Sequence, residues 1–479
     1  MGITFDFIVK NLSTLRSQVF GNLPENFEFT AVTTDSRKIT PGCLFVALAG
    51  EKFDGHDFLQ QAIEAGAAGL ICREGSSIAP TSQPLAVFWV KDNSGTLNAY
   101  RELAHAWRKC FQIPVIAVAG SVGKTTTKEL LTALLRGRWE KVLKTEGSQN
   151  GFVGIPMTLL DLRAEHGAAV IEVGIDEVGS MIPHLDLVSP QASLLTAIAA
   201  EHLEKLIDLP TVAREEGFAL SQVAERQGLV AISLDDPWIA PFWKSLGKIC
   251  KVGYTLHSET AQKALEHAFG APILTGKLID AATLKVSGFP TGDETYTLPL
   301  PGKHNAANFL AALALATGLG LSPEELKRGL ATFVGASGRS ELRTLKSGTP
   351  VVCDYYNASP ASMEAGLEML ADLAKAKKST ALWACLGDML ELGPKEEDFH
   401  RGLAPSLQRL KVQNVLLYGP RMKALFDELK KQNFQGQVNH FSSHEEMAQQ
   451  LTRGIQPSDA ILIKGSRGMR MEKVWEHLK

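Results

Sequence analysis

The sequence predicts an α/β protein of three domains. Its 479 residues correspond to about three domains as a prior. Continuous apolar runs alternate with helical segments, and such runs are typical of strands buried on both faces of a parallel sheet. A similar alternation starts again near residue 337. We therefore expect a small α/β N-terminal domain at 1–110, a central domain with a mostly parallel sheet at 111–336, and a doubly wound C-terminal domain at 337–479.

The individual elements follow from apolar runs and turn residues. The first block contains a strand at 43–48, a turn-rich stretch at 50–57, an Ala-rich helix near 58–69, a loop at 78–84 and a helix near 94–110. The central block contains strands at 115–120, 168–174, 192–198 and 229–235, a helix from Thr125, an antiparallel insertion near 270–300, and helices at 306–320 and 323–333. Ser322 and Pro323 suit the N-cap and first position of the last helix.

The third block repeats the pattern, with strands at 350–356, 380–388, 414–419, 437–442 and 459–466 and a last helix at 471–478. Ligands of doubly wound sheets bind outside the carboxyl ends of the strands. Asp354, Asp388 and the stretch 464–467 follow three of these strands. We expect them to converge on one site.

Composition excludes several classes of function. Hydrophobic residues make up 45% and charged residues 21% of the chain, as in ordinary globular proteins. A net charge of −3 without blocks of like charge predicts no nucleic-acid partner. The N-terminus lacks a secretory pattern, and no apolar run reaches the roughly 18 residues of a membrane span. Six scattered cysteines fit buried thiols in a reducing compartment, so we expect a cytoplasmic protein.

The most informative motif is VIAVAGSVGKTTTK at 115–128, an apolar strand that enters a glycine turn and then a helix. Glycines allow backbone N–H groups to face an anion, and the helix N-terminus adds positive potential. The lysine would reach β/γ-phosphates, and the following threonine would hold Mg²⁺. The spacing is the short GxxGKT form, and a chance glycine-rich turn is the alternative. The predicted nucleotide ligands are Gly120, Ser121, Val122, Gly123, Lys124, Thr125 and Thr126.

Other polar residues near strand ends have a functional and a structural interpretation. Glu172 ends an apolar strand, where a carboxylate is costly unless it is paired or binds metal. His202 follows a third parallel strand and is either a ligand or a structural residue. A helix start carries His304, Asn305 and Asn308. The asparagines are either helix caps or amides that recognise the edge of an adenine.

With these motifs in place, the chain resembles the Mur ligases, most closely their D-alanyl-D-alanine-adding (MurF) branch. The resemblance covers nearly the whole chain. It is carried by DSRKITPGCLFVALAGEKFDGHDF (35–58), GSVGKTTTKE (120–129), GIPMTLL (154–160), LPLPGKHNAAN (298–308), DYYNASP (354–360), LGDMLELG (386–393) and ILIKGSRGMRME (461–472). It implies an N-domain that binds the UDP-sugar peptide, a P-loop ATPase centre and a Rossmann-like C-domain.

The implied reaction joins D-alanyl-D-alanine to UDP-N-acetylmuramoyl-tripeptide through an acyl phosphate, with ATP and two Mg²⁺ ions. The resemblance assigns Lys124, His202 and Glu216 to catalysis. It assigns ATP, beyond the glycine turn, to His304, Asn305, Asn308, Arg339 and Asp354. It assigns metal to Thr125, Glu172, His202 and Glu216. It assigns the other substrates to Ser36, Arg37, Phe45, His56, Asn150, Asn357, Lys464, Ser466 and Arg467.

The chain departs from the family at three places. Glu216, in VAREEGFAL, occupies the position of a carbamoylated lysine, and we expect its carboxylate to replace the carbamate. Glu215 is a second candidate for that role. The alternative for Glu216 is a solvated acid on the surface of the helix. Gly151 replaces the second of two adjacent asparagines after Gln149, and 176–177 read Asp-Glu where Asn-His is usual.

Two other functions remain open at this point. One is a sister ligase that adds a different amino acid to a UDP-muramoyl or folate acceptor, against which DYYNASP and KGSR argue. The other is a nucleotide-binding scaffold without turnover, supported only by the altered metal-helix position. We expect a monomer with no nucleic-acid partner.

Overall fold

The computed structural model describes residues 2–12, 16–24, 26–50, 53–79 and 83–479, with only the backbone of 93 and 94. The chain forms two compact units. The first comprises Met1–Ile116, Trp139–Val173 and Pro183–Pro190, and the second comprises Ala117–Arg138, Gly174–Ile182 and Gln191–Lys479. The predicted boundaries at 110 and 336 stay a prediction.

The N-terminal part contains a five-stranded sheet. Its elements are α1 (Phe5–Asn11), β1 (Arg16–Phe20), β2 (Val32–Thr33), β3 (Leu44–Val46), α2 (Leu59–Glu64), β4 (Gly69–Arg73), β5 (Leu85–Val90) and α3 (Asn93–Lys109). The strand order is β1-β5-β4-β3-β2, in which only β1 is antiparallel to its neighbour. The helix predicted to residue 69 was too long, because Gly66 adopts a left-handed φ of 98° just after α2 ends. The stretches 50–57 and 78–84 lie partly outside the described residues.

The central part alternates strands and helices, as predicted. Its elements are β6 (Val115–Ala119), α4 (Lys124–Leu135), β7 (Val142–Lys144), α5 (Gly154–Leu160), β8 (Ala168–Glu172), α6 (Met181–Val188), β9 (Ala192–Leu195), α7 (Leu203–Leu206), α8 (Leu209–Glu225), β10 (Leu229–Ser233), α9 (Pro241–Ser245), β11 (Lys251–Thr255), α10 (Ser258–Ala264), β12 (Ile273–Leu278), β13 (Thr283–Phe289), β14 (Gly292–Thr297), α11 (Lys303–Gly318) and α12 (Pro323–Leu330).

Within the second unit, the strands of this part run in the order β14-β13-β12-β11-β10-β9. Strands β9 to β12 pair in parallel, whereas β12, β13 and β14 pair antiparallel, which confirms the predicted insertion near 270–300. In the first unit, β7 and β8 pair in parallel. Ser322 caps α12 in a capping box with Glu325, so the predicted start of this helix is confirmed.

The C-terminal part is doubly wound. It contains β15 (Glu341–Thr344), β16 (Pro350–Asp354), α13 (Pro360–Lys377), β17 (Leu382–Gly387), α14 (Glu396–Arg401), α15 (Ala404–Arg409), β18 (Asn414–Tyr418), α16 (Met422–Lys431), β19 (Gln437–Phe441), α17 (His444–Gly454), β20 (Ala460–Lys464) and α18 (Glu472–Leu478). The strand order is β15-β16-β20-β17-β18-β19. One apolar cluster packs residues of α13, α15 and α16, and another packs residues of α17 and α18.

All five strands predicted in this part are confirmed, and β15 was missed. β15 is short, and its side chains alternate between exposed and half-buried, so no apolar run marks it. Within the described part of the chain, no helix combines the length and apolarity needed to cross a bilayer.

Candidate active site

The glycine turn after β6 requires glycine at two positions. Gly120 has φ 115° and Gly123 has φ 91°, values that other residues rarely adopt. A Cβ on Gly120 would lie 2.4 Å from Thr196 Oγ1, and one on Gly123 would lie 2.6 Å from Asn308 Oδ1. The turn therefore packs against β9 and α11 through bare backbone. It delivers the chain into α4 with the geometry of a phosphate-binding loop.

Lys124 begins α4, and its ammonium group is held inside the turn. Nζ donates to Gly120 O at 2.5 Å and to Ser121 O at 3.3 Å, and lies 3.4 Å from Glu201 Oε2. Glu201 was missed by the sequence analysis. It is the residue before His202, and a lone glutamate after a strand carries no pattern that distinguishes it from a surface acid.

Two buried carboxylates flank this lysine. The N–H of Gly120 donates to Glu216 Oε2 at 2.7 Å. Burial raises the pKa of both Glu201 and Glu216 to about 7, and Lys124 opposes that rise. Oε1 of each has no hydrogen-bond partner in the part of the chain that the structure describes. Glu216 is fully buried, so the alternative of a solvated surface acid is wrong.

Glu215, the neighbouring acid on α8, forms its contacts away from the glycine turn. Glu215 Oε2 accepts a hydrogen bond from Gly179 N at 2.8 Å, and its Oε1 lies 3.6 Å from Arg214. Glu215 is thus tied to the loop before α6. Glu216 is the α8 acid that reaches the glycine turn.

A cavity of about 190 Å³ adjoins the turn. It brings together residues that lie far apart in the sequence, from the central and C-terminal parts of the second unit. From the predicted nucleotide and substrate sets it is lined by Ser121, Val122, Gly123, Thr126, His304, Asn305, Asn308, Arg339, Asp354, Asn357 and Lys464. The remaining lining residues include Thr196 and Ser359.

Charge within this cavity is arranged around a buried pair. Lys464 Nζ lies 2.5 Å from Asp354 Oδ2 and donates to Asn357 O at 3.1 Å. Burial acts to raise the pKa of Asp354, but the ammonium of Lys464 outweighs it, and the pKa of Asp354 is lowered. Burial lowers the pKa of His304. At neutral pH the cavity therefore holds one compensated ion pair and a neutral imidazole, together with the guanidinium of Arg339.

His202 lies in a different opening, of about 250 Å³, with Asp176, Glu204, Lys205 and Glu391. Its backbone is left-handed, with φ 46°. Its Nδ1 lies 2.7 Å from Glu391 Oε2. His202 thus joins the loop before α7 to the loop after β17, a contact that the sequence did not predict.

Comparison with known proteins places this architecture in a family. Family models match in three consecutive stretches: "Mur ligase family, catalytic domain" at 28–106, "Mur ligase middle domain" at 118–316, and "Mur ligase, glutamate ligase domain" at 338–467. A relative in Bacillus subtilis named UDP-N-acetylmuramoyl-tripeptide–D-alanyl-D-alanine ligase is 31% identical, over 98% of each chain. The chain belongs to the Mur ligase family, in its MurF branch.

Two further comparisons agree with this assignment. An Escherichia coli relative of the same name is 34% identical over 93% of this Mur ligase and 92% of its own length. A crystal structure of MurF from Acinetobacter baumannii has a TM-score of 0.82 and 27% identity, with 99% of this chain and 98% of that chain covered. The predicted α/β architecture and the predicted ligase class are thus confirmed.

In the first unit of the Mur ligase, Glu172 is buried at the end of β8 and bound to Asn150. Asn150 Nδ2 donates to Glu172 Oε1 at 2.9 Å, and Glu172 N donates to Thr145 Oγ1 at 3.0 Å. The amide of Asn150 is therefore directed to a predicted metal ligand. Its assignment to the substrate stays a prediction.

The residues predicted to meet the UDP end of the substrate differ in availability. Ser36 begins a 3₁₀ turn, and Arg37 is 84% exposed beside Asp35 at 2.9 Å. Phe45 is fully buried in the core of the N-terminal sheet, and its predicted contact with the UDP end of the substrate stays a prediction. All three residues of β3 are buried, so this strand is covered on both faces.

His56 has both ring nitrogens engaged within the protein. Nδ1 lies 2.6 Å from Asp54 Oδ1, and Nε2 accepts from Arg73 N at 3.0 Å. Arg73 Nη1 also donates to Asp54 Oδ2 at 2.8 Å. In the structure His56 orders this loop of the ligase, and its predicted substrate contact stays a prediction.

The expected convergence of three strand ends is correct for the backbone, since Ser466 N donates to Asp388 O at 3.1 Å, but only two of the three charged side chains meet. Asp354 and Lys464 meet, but Asp388 is buried and accepts from Met422 N at 2.8 Å at the start of α16. Ser466 Oγ accepts from Leu390 N at 3.0 Å, and Arg467 Nη1 lies 3.1 Å from Glu472 Oε1. The carboxylate of Asp388 does not join them because it accepts from the backbone N–H groups of Arg421 and Met422 at the start of α16, as a helix-capping carboxylate does.

Proposed function

We propose that this Mur ligase joins D-alanyl-D-alanine to the tripeptide carboxylate of UDP-N-acetylmuramoyl-tripeptide, with cleavage of ATP to ADP and phosphate. The names of the Bacillus subtilis and Escherichia coli relatives give these two substrates and a ligase activity. The observation that carries the proposal is the cavity in which the glycine turn, the Asn305–Asn308 helix start and the Asp354–Lys464 pair meet. A nucleotide bound there would touch both the central and the C-terminal part.

The chemistry requires activation of an unreactive acid. A carboxylate oxygen attacks the γ-phosphorus, the bond to the β-phosphate oxygen breaks, and ADP leaves. The dipeptide amine then attacks the acyl carbon, the bond to the phosphate oxygen breaks, and the nitrogen loses its proton. Charge develops on phosphate oxygens, so catalysis depends on preorganised donors and cations. The backbone N–H groups of the turn and Lys124 would supply them.

For Lys124 to contact a phosphate, its ammonium has to exchange the carbonyls of Gly120 and Ser121 for phosphate oxygens. Both are hydrogen bonds from the same Nζ, so the exchange keeps the lysine satisfied. Glu201, 3.4 Å from the ammonium, would remain beside it.

The donor set of the site suits Mg²⁺. In the second unit, Thr125 and the carboxylate of Glu216 offer hard oxygen ligands, and the unpartnered Oε1 of Glu216 is an acceptor that a cation would satisfy. Among the described residues, no three His, Cys, Asp or Glu residues cluster as a metal site. Mg²⁺ usually takes only one or two carboxylates and keeps several waters. Bound there, Mg²⁺ would neutralise phosphate charge.

We also propose that Glu216 takes the place of the family's carbamoylated lysine. It is buried and its second oxygen is anchored by Gly120 N, so one carboxylate oxygen faces the site without any requirement for CO₂. His202 stays the candidate for a second cation. The six cysteines are free, which supports a reducing, cytoplasmic location, and we expect a monomer.

The test is ADP release by the purified protein with Mg·ATP, UDP-N-acetylmuramoyl-tripeptide and a panel of amine substrates. We expect release with D-alanyl-D-alanine and little with D-glutamate, L-alanine or diaminopimelate. Preference for one of the other amines would favour a sister ligase. ATP binding without any amine-dependent release would favour a scaffold.

A further inference from the structure

The ring of Tyr356 contacts two arginines, of which one lines the nucleotide cavity. The guanidinium carbon of Arg339 lies 4.0 Å from the centre of the Tyr356 ring, and that of Arg467 lies 5.6 Å from the same centre. Both distances are within the roughly 6 Å at which an aromatic face attracts a cation. Arg339 lines the cavity itself. One ring thus contacts two cationic side chains from separate segments.

Two hydrogen bonds donated by backbone N–H groups fix the segment that carries Arg339. Tyr356 N donates to Gly338 O at 3.1 Å, and Ser340 N donates to Asp354 Oδ1 at 2.9 Å. Gly338 has φ 68°, and a Cβ there would lie 2.5 Å from the ring of Tyr355. The turn that bears Arg339 is therefore docked on the end of β16, next to Tyr356.

The segment that carries Arg467 is docked on the residues after Tyr356. Lys464 Nζ donates to Asn357 O at 3.1 Å, and Ser466 Oγ donates to Ala358 O at 3.3 Å. Arg467 also pairs with Glu472 at 3.1 Å, but its side chain is 63% exposed. Exposed ion pairs of this kind are weak. We therefore attribute the ordering of the Arg467 guanidinium to the ion pair with Glu472 and the contact with the Tyr356 ring together.

We propose that Tyr356 is a positioning residue that orders two anion-binding guanidiniums. Arg339 then meets the phosphates of the nucleotide, and Arg467 meets the terminal carboxylate of the dipeptide. Two like charges on one ring repel each other, and the negative face of the ring and the bound anions offset that repulsion. This inference rests on the proposed function, because it takes ATP and D-alanyl-D-alanine as the ligands. The ring alone carries the effect, without the hydroxyl.

The test compares Tyr356→Leu with Tyr356→Phe in steady-state assays of the full chain. For the leucine variant we expect KM for both ATP and D-alanyl-D-alanine to rise about three- to fivefold, with kcat within about twofold, as loss of an exposed cation–π contact predicts. The phenylalanine variant should match the wild type. Equal effects of both variants, unchanged KM values, or a fall in kcat alone would overturn the inference.

A second variant tests the proposal without any substitution at position 356, where a change could disturb folding. Arg467→Gln changes an exposed side chain and should raise KM for the dipeptide while leaving KM for ATP unchanged. An unchanged dipeptide KM would contradict the proposal. Phe426→Leu is the matched control, since Lys423 lies 4.5 Å from the ring of Phe426 on α16, outside the cavity. It should alter neither KM.

The activity of the wild type distinguishes a failure of the proposed function from a failure of the role proposed for Tyr356. A wild-type protein without dipeptide-dependent ADP release would refute the proposed function. An active wild type whose Tyr356→Leu variant behaves like Tyr356→Phe would refute only the role of Tyr356.

Discussion

Lys124 and the two carboxylates near it form the most strongly coupled group of charges in the candidate site. Its ammonium lies 3.4 Å from Glu201, and Glu216 is bound to the N–H of Gly120 four residues earlier. In a buried environment each charge depends on the others. Changes at any of the three should therefore alter both nucleotide chemistry and stability.

Replacing Lys124 with alanine should abolish dipeptide-stimulated ATP cleavage. Loss of one cation that stabilises developing charge costs a factor of roughly 10²–10³ in kcat, and the variant also leaves two buried acids without their cation. The measurement is ADP release with all three substrates at saturation. Lys423→Ala, on an exposed lysine of α16, is the control and should keep full activity. A Lys124→Ala enzyme with undiminished turnover would contradict the assignment.

The raised pKa of Glu216 predicts a pH-dependent stability. Between its ordinary pKa of 4.5 and its folded value of about 7, the folded state binds more protons than the unfolded state. The free energy of unfolding therefore falls as pH rises through this window. In metal-free buffer, Glu216→Gln should remove on the order of 1–3 kcal/mol of that fall.

Urea unfolding at pH values from 4.5 to 8 measures this difference. Glu225→Gln, an exposed acid on the same helix, should leave the pH profile as it is in the wild type. Parallel profiles for wild type and Glu216→Gln would show that Glu216 does not titrate in this range.

Residues with a motif were predictable from the sequence, and residues without one were not. Lys124 belongs to a glycine turn with a strand before and a helix after it, and it lies in the turn as expected. Glu201 has no such context, and Tyr356 sits in a recognised motif without a sign that it would contact two arginines. Phe45 was assigned to the substrate by the resemblance alone, which gave no sign that its side chain would be fully buried.

The turn between β6 and α4 is the element on which nucleotide binding depends. Its two left-handed glycines let the backbone pass within contact of Thr196 and Asn308. The following helix then presents its first N–H groups where a phosphate would bind.

Gly120→Ala should distort this turn. The new Cβ would meet Thr196 Oγ1 at 2.4 Å and the Thr196 backbone N at 2.8 Å, and φ 115° is unfavourable for alanine. We expect a loss of stability of about 1–3 kcal/mol and weakened ADP binding, measured by thermal unfolding and calorimetric titration. Gly75→Ala, at φ 81° with nothing within 4 Å, carries strain without crowding and should leave ADP binding intact.

Long apolar strands were predictable as elements, and short or polar ones were not. A continuous apolar run such as 229–235 predicts a strand in a buried sheet, and β10 is found there. β15 was missed because four alternating residues resemble a loop. The end of α2 depended on the left-handed Gly66, which a run of alanines around it concealed.

At the scale of the molecule, the nucleotide cavity joins segments from 121 to 464 within the second unit. Sequence could predict that several strand ends would carry the site. It could not predict that Asp388 would cap α16, because helix capping and ligand binding use the same carboxylate.

Binding of ADP should therefore stabilise central and C-terminal segments together. A ligand at 100 times its Kd adds about 2.7 kcal/mol to the free energy of unfolding of whatever it binds. Scanning calorimetry with and without saturating ADP should show the transition that contains the C-terminal segments shift upward with that of the glycine turn. Two transitions, of which ADP moves only one, would contradict a shared cavity. Asp354→Asn should reduce the shift.

The last antiparallel strand of the insertion, β14, ends the order of strands on its side of the sheet and reads GDETYT. Asp293 pairs with Lys285 at 2.7 Å and Glu294 with Lys327 at 2.6 Å. Charged side chains on an outermost strand discourage its unpaired backbone groups from recruiting another polypeptide. The insertion thus extends the sheet, and the charged side chains of β14 disfavour edge-to-edge association with another chain.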